Sequence, residues 1–215
     1  TYDNALVKVY DIPVFYFPKF FHPDPTVERQ SGFLTPKINN SNILGSSVSL
    51  PYFHVISDNK DLTFNPVVFS KDVKIIQNEY RQVNESSSFI ADFGITEGYK
   101  STSNGEEKKI NHLFAEYKKK LNLKNFISSD FNLFVQRTNK DTYLKIFSDS
   151  LTNSIIKPQN LDILNSGFKF LLENKNYSVN MGADIFEDLT KLQSDRYQFV
   201  FPYYNFSFNN KSTNY

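Results

Sequence analysis

The sequence predicts an all-β fold of antiparallel, up-and-down strands. Three observations predict it: side chains alternate apolar and polar with a period of two, the alternating runs are long, and the connections between them are sorted by length. Composition agrees. Among 215 residues there are 22 Phe and 13 Tyr but no Trp, with 7 Gly and 1 Met. Aromatic and β-branched side chains suit a pleated, half-buried ribbon, and the many Asn and Ser residues suit turns.

In chain order, residues 1–28 stand apart. Ala5–Tyr10 and Val14–Phe21 are strand-like, but Pro13, Pro18, Pro23 and Pro25 punctuate them. Proline cannot donate to a ladder, so these are expected as short or edge strands. They read as the tail of a separate β domain, linked through His22–Glu28 to residues 29–215.

The later strands are clearer. In Ser88–Tyr99 one parity reads Phe89, Ala91, Phe93, Ile95, Glu97 and Tyr99, mainly apolar, and the other Ser88, Ile90, Asp92, Gly94, Thr96 and Gly98, mainly polar. Phe126–Gln136 repeats this, with Ile127, Phe131, Leu133 and Val135 against Ser128, Asp130, Asn132 and Gln136. Tyr177–Asp188 does so again, setting Tyr177, Val179, Met181, Ala183 and Ile185 against Ser178, Asn180, Gly182, Asp184 and Asp188. Such alternation marks a ribbon with one greasy face. Weaker strands are expected near 31–40, 45–57, 60–70, 73–84, 111–122, 161–173 and 196–209, giving about ten after residue 30. At about ten to thirteen residues they exceed usual globular strands and match strands crossing a bilayer at a tilt.

Short connections at 57–60, 84–87, 123–125 and 173–176 alternate, from mid-chain onward, with long ones at 100–110, 137–160 and 187–195. In an up-and-down sheet alternate connections share a rim, so tight turns fall at one end and long polar loops at the other. That is the layout of part of a large transmembrane β-barrel. The loop at 137–160 is expected to hold about two helical turns, with Asp141 capping Thr142–Phe147 and Tyr143, Leu144 and Phe147 on one side.

Several function classes lack their signatures. Lys and Arg (24) nearly balance Asp and Glu (23), without the basic excess of a nucleic-acid binder. No apolar run approaches the length of a membrane helix. There is no Cys, hence no thiol nucleophile or disulfide framework within this chain. No GxSxG, HExxH, phosphate loop, GxGxxG or CxxC occurs, so no catalytic residue, metal ligand or cofactor is assigned. His22, His54 and His112 are far apart and read as ordinary polar or rim residues. Asp184, Glu187 and Asp188 read as a solvated rim, Asp58, Asn59 and Asp61 as a hairpin turn, and Lys118–Lys120 as a solvated strand end. Pro36 and Pro51 interrupt the first two strands of residues 29–215. Each removes a ladder donor and belongs at an edge or bulge; if these strands close a barrel, the seam is weak. Pro66 and Pro202 show that in-strand prolines are not confined to this region.

The blocks DIPVFYFPKF, ERQSGFLTP, SLPYF, DLTFNPVVFSK and NEYRQ, in this order over residues 11–82, resemble the LptD (OstA/Imp) family of lipopolysaccharide-assembly outer-membrane proteins. The resemblance implies a fragment: residues 1–28 as the last strands of a periplasmic β-jellyroll with a linker, and residues 29–215 as the N-terminal portion of an outer-membrane barrel. It implies delivery of lipopolysaccharide to the outer leaflet through jellyroll, lumen and a lateral gate beside the first strands. It marks Pro36 and Pro51 as gate prolines and Val14, Tyr16 and Phe20 as contacts for acyl chains. Implied partners are lipopolysaccharide, an LptE-like plug lipoprotein, an LptA-like periplasmic bridge and outer-membrane lipids, with no nucleic acid, cofactor or enzymatic step. Two other readings stay open: a generic porin or transporter fragment, favoured by a constricting inward loop, and a secreted soluble β-sandwich, in which two apolar faces would pack together. For the barrel the sequence predicts a curved, open sheet with its apolar parity exposed.

Overall fold

The computed structural model describes residues 2–9, 12–20, 29–100, 108–148, 150–151 and 154–208, and, within the two N-terminal strands, the side chains of Asn4, Leu6, Lys8, Pro13 and Tyr16. The fold is all-β. Strands β1 (Tyr2–Val9) and β2 (Ile12–Phe20) pair antiparallel in a sheet of their own. The register slips between Val7 and Lys8, which face Phe15 and Pro13, so Val14 is an extra residue on β2.

Twelve further strands form one antiparallel sheet. They are β3 (Gly32–Phe33), β4 (Lys37–Ser41), β5 (Gly45–Ser49), β6 (Tyr52–Ser57), β7 (Lys60–Phe69), β8 (Lys74–Val83), β9 (Ser87–Glu97), β10 (Asn111–Lys120), β11 (Ser128–Thr138), β12 (Ile163–Glu173), β13 (Tyr177–Asp188) and β14 (Tyr197–Phe208). Each pairs with its sequence neighbour from β7 to β14. β3 with β4, and β5 with β6, are two ribbons each broken once, so ten ribbons result, as the alternation predicts. The sheet is open: β14 and the β3–β4 ribbon have no second neighbour among the described residues.

Connections sort as expected. Residues 58–59, 84–86, 121–127 and 174–176 join strands at one rim, and 42–44, 70–73, 98–110, 139–162 and 189–196 at the other. Residues 101–107 of the third long-rim loop lie outside the described residues, as does the expected linker at 22–28.

The two faces differ in kind. Cross-strand partners put Val68, Ile76, Ile95 and Leu113 on one face, and these are 51%, 45%, 54% and 44% exposed. Their neighbours Val67, Ile75, Thr96 and His112 on the other face are buried. Among the described residues no second sheet packs on the first face, whereas in a two-sheet sandwich the apolar parity would be covered. The buried face is covered by the 139–162 loop, which holds α1 (Tyr143–Phe147), the one helix among the described residues. Leu44, Val67, Phe69, Val73, Ile75, Ile110, Phe114, Tyr143, Leu144, Ile146, Phe147, Leu151, Leu164 and Leu189 form one buried cluster.

The helix corrects two expectations. It has five residues, closer to one turn than two, and Thr142 is its N-cap with no side-chain bond. Asp141 does not cap it because its carboxylate is held by Arg196 at 2.7 Å. A helix this short cannot support itself; its four buried side chains fix it.

Candidate functional site

Pro36 and Pro51 lie in the two breaks of the first hairpin. Below them β3 pairs with β6, matching Phe33 to Tyr52. Above them β4 pairs with β5, matching Lys37 to Ser49. From Phe33 to Lys37 is four steps, while from Tyr52 to Ser49 is three, so the stretch Leu34–Pro36 holds one residue too many. This is a bulge. At the junction Leu34 N–H donates to Pro51 O at 2.8 Å. A close antiparallel pair exchanges two such bonds, and Pro51 has no N–H to return the second. Pro51 is buried. On its other side the ribbon keeps one register with β7, from Ser49↔Val67 to Tyr52↔Phe64, and Leu50 N–H reaches Pro66 O at 3.3 Å. The defect therefore weakens the first hairpin rather than its seam with β7. Pro202 also marks a slip, where Gly182 and Asp184 face Tyr203 and Val200 on edge strand β14.

The two halves of this hairpin are anchored differently. Beside the lower half, Asp61 is buried and accepts from both Arg29 and Arg81, the latter at 2.8 Å. Both guanidinium groups lie over the Phe53 ring of β6, at 5.6 and 6.0 Å, a favourable placement for a cation. Asp61 thus belongs to an ionic clamp just inside the 58–59 turn, where the sequence shows only turn chemistry. The upper half, β4–β5, meets β7 across three residue pairs, Ser47↔Phe69 to Ser49↔Val67.

On the loop-covered face sits a buried polar chain. His112 Nε2 lies 3.1 Å from Asp92 Oδ1, and its Nδ1 lies 2.6 Å from the Tyr143 hydroxyl. Gln77 Nε2 donates to the same carboxylate at 3.1 Å. Asp92, His112 and Tyr143 are all buried. The carboxylate only accepts, so Nε2 carries the proton and Nδ1 accepts from the phenol. Burial, then the nearby Asp92 charge, push the Tyr143 phenol well above its ordinary range, so it stays a donor. Gly94 makes the room: a Cβ there would stand 2.6 Å from His112 Cε1. His112 is therefore no ordinary rim residue. Its only sequence sign is a histidine on the polar parity of its strand; its partners come from β9 and the far loop.

Glu187 corrects the solvated-rim expectation too. It is 6% exposed, Arg137 pairs with it at 3.1 Å, and Tyr197 donates to it at 3.2 Å. Asp188, at the end of β13, is half-buried and its carboxylate accepts from the Thr190 hydroxyl at 2.6 Å. Among the described residues no cluster of His, Asp or Glu is grouped to hold a metal. His54 lies near the 58–59 rim with Ser31 Oγ at 3.5 Å, and Lys118 pairs with Glu116 at 2.8 Å. Of the acyl-chain candidates, Tyr16 is 58% exposed on β2, its hydroxyl donating to Asn4 and its cross-strand partner Leu6 also exposed. Val14 and Phe20 lie on the same strand, their side chains outside the described residues.

No protein-family model matches the chain. Curated relatives do. The LPS-assembly protein LptD of Ectopseudomonas mendocina (strain ymp) is 38% identical over 87 residues, 40% of this chain and 9% of the relative. That of Polaromonas sp. (strain JS666) is 34% identical over 79 residues, 37% of this chain and 10% of the relative. That of Pseudomonas putida (strain GB-1) is 25% identical over 197 residues, 92% of this chain and 20% of the relative. The chain spans a fifth or less of the length of these relatives.

Proposed function

From this kinship with LptD proteins along nearly the whole chain, we propose that residues 29–215 form the N-terminal wall of an outer-membrane β-barrel that works in lipopolysaccharide assembly. Residues 1–28 are then the end of a periplasmic jellyroll. In this reading the bare apolar face meets bilayer hydrocarbon and the loop-covered face lines the lumen. An amphipathic glycolipid needs both surfaces: a greasy path for its acyl chains and a polar one for its sugars. No covalent bond changes, so no nucleophile or general base is required. Tyr16, Val14 and Phe20 would meet acyl chains at the jellyroll end, an LptA-like bridge would deliver the lipid there, and an LptE-like lipoprotein would fill the lumen.

The single observation that carries the lateral-gate reading is the paired break at Pro36 and Pro51. One ribbon of the first hairpin holds an extra residue, and the other cannot return a ladder bond. A wall built this way parts at less cost than a continuous ladder. The test is Pro36→Ala with Pro51→Ala in the full-length protein, which restores a donor worth about 1 kcal/mol. Surface lipopolysaccharide, followed by pulse labelling, should appear about fivefold more slowly. Delivery at the normal rate in a stably inserted double variant refutes the gate.

One observation favours a second reading. The 139–162 loop packs on the inner face, as in a porin constriction. A generic pore would pass small sugars in proportion to size when purified protein is placed in liposomes; the conduit reading expects no such size series.

A further inference from the structure

The 139–162 loop shares one buried cluster with the wall and with Leu44 in the turn of the first hairpin. We propose that α1 is a latch that positions the proline-broken hairpin, with His112 and Tyr143 anchoring it to the wall and Leu44 carrying its hold to the hairpin tip. The inference rests on the lateral-gate reading for its purpose, but not for its test.

The upper half of the hairpin is lightly held. Its ladder to β7 covers Ser47–Ser49, supplemented by Ser70 N–H to Ser46 O at 2.8 Å and Lys71 Nζ to Ile43 O at 2.6 Å. In its turn, Leu44 is 4% exposed within the cluster that contains Tyr143, Leu144 and Phe147. The Phe147 ring meets that of Phe69 edge-on at 6.2 Å, and Phe69 is the ladder partner of Ser47. The helix thus sits over the very stretch of β7 on which the upper hairpin depends. Its other side is fixed by the phenol of Tyr143 on His112, oriented in turn by Asp92. A five-residue helix has no stability of its own, so its place is set by these anchors. If they are lost, α1 leaves the wall and Leu44 loses the packing that seats the turn.

The test is hydrogen exchange by mass spectrometry on the full-length protein in lipid nanodiscs. In Tyr143→Phe and His112→Asn, the amides of residues 37–49 should exchange about five- to tenfold faster, the scale of one buried hydrogen bond, while β12–β13 keeps its protection. Phe147→Ala should do the same and Phe147→Leu should restore slow exchange. A hairpin that stays protected while α1 itself opens overturns the latch. A uniform rise from β7 through β13 also overturns it, since that is general loosening. Export is read separately: a faster-exchanging hairpin with normal lipid delivery refutes the gate while the latch stands.

Discussion

Gly94 shows how one missing side chain admits a buried polar chain. A methyl group there would stand 2.6 Å from His112 Cε1 and 3.3 Å from the Tyr143 hydroxyl. Gly94→Ala should therefore displace the imidazole and lower stability by about 1–3 kcal/mol, read as an earlier thermal transition of the full-length protein. Gly32→Ala, with nothing within 4 Å of the added carbon, should change little. The Tyr143 phenol gives a second prediction at this scale. Its pKa is raised by burial and by Asp92, so the folded state disfavours the phenolate that the unfolded chain forms readily. The sign follows: this contribution is complete below a pH of about 10, the ordinary tyrosine value, and is lost as pH climbs beyond it. Alkaline unfolding of wild type should be steeper than that of Tyr143→Phe; equal slopes would show that the phenol is not buried as described. Neither effect is visible in the sequence. Asp92, Gly94 and His112 share the polar parity of their strands, but only the register Gly94↔His112 and the return of a distant loop bring the chain together.

At the scale of elements, period two carried most of the information. β9, β11 and β13 fall within about two residues of the alternating runs that predict them, because one face of each ribbon is mainly apolar and a slip of one residue would reverse it. The first hairpin was legible in part. Its prolines announce a bulge or an edge, yet only the paired registers reveal that the extra residue sits beside Pro36 while Pro51 leaves its bond unreturned. The helix was legible from Tyr143, Leu144 and Phe147, but its cap was not. Asp141 is drawn off by Arg196, 55 positions on and itself only 12% exposed, a long-range ion pair that local capping rules cannot anticipate. Asp61 was misread for a like reason: it stands in turn-like sequence, and its partners arrive from elsewhere, Arg29 from the segment ahead of β3 and Arg81 from β8.

For the whole molecule the question is which solvent meets the bare face. Phe93, Ile95 and Leu133 are 39%, 54% and 41% exposed, on a face of exposed apolar side chains that in water would be an aggregation hazard. Hydrocarbon removes the difficulty. On the opposite face, where the 139–162 loop shields Asp92, Gln77 and His112 from water, these side chains form a hydrogen-bonded chain, because buried polar groups need partners. Charge placement separates the two faces. Leu133→Lys puts an ammonium into the proposed bilayer and should lower stability in lipid by about 2–4 kcal/mol if it lies near the midplane. Asn132→Lys, one residue away on the loop-covered face, should change stability by less than about 1 kcal/mol, because a lumen offers water and polar neighbours. Equilibrium unfolding of full-length variants from lipid vesicles measures the pair. Equal penalties would mean that both positions face like environments, and a smaller penalty at Leu133 would turn the wall inside out; either result removes the hydrocarbon face on which a lipid conduit depends.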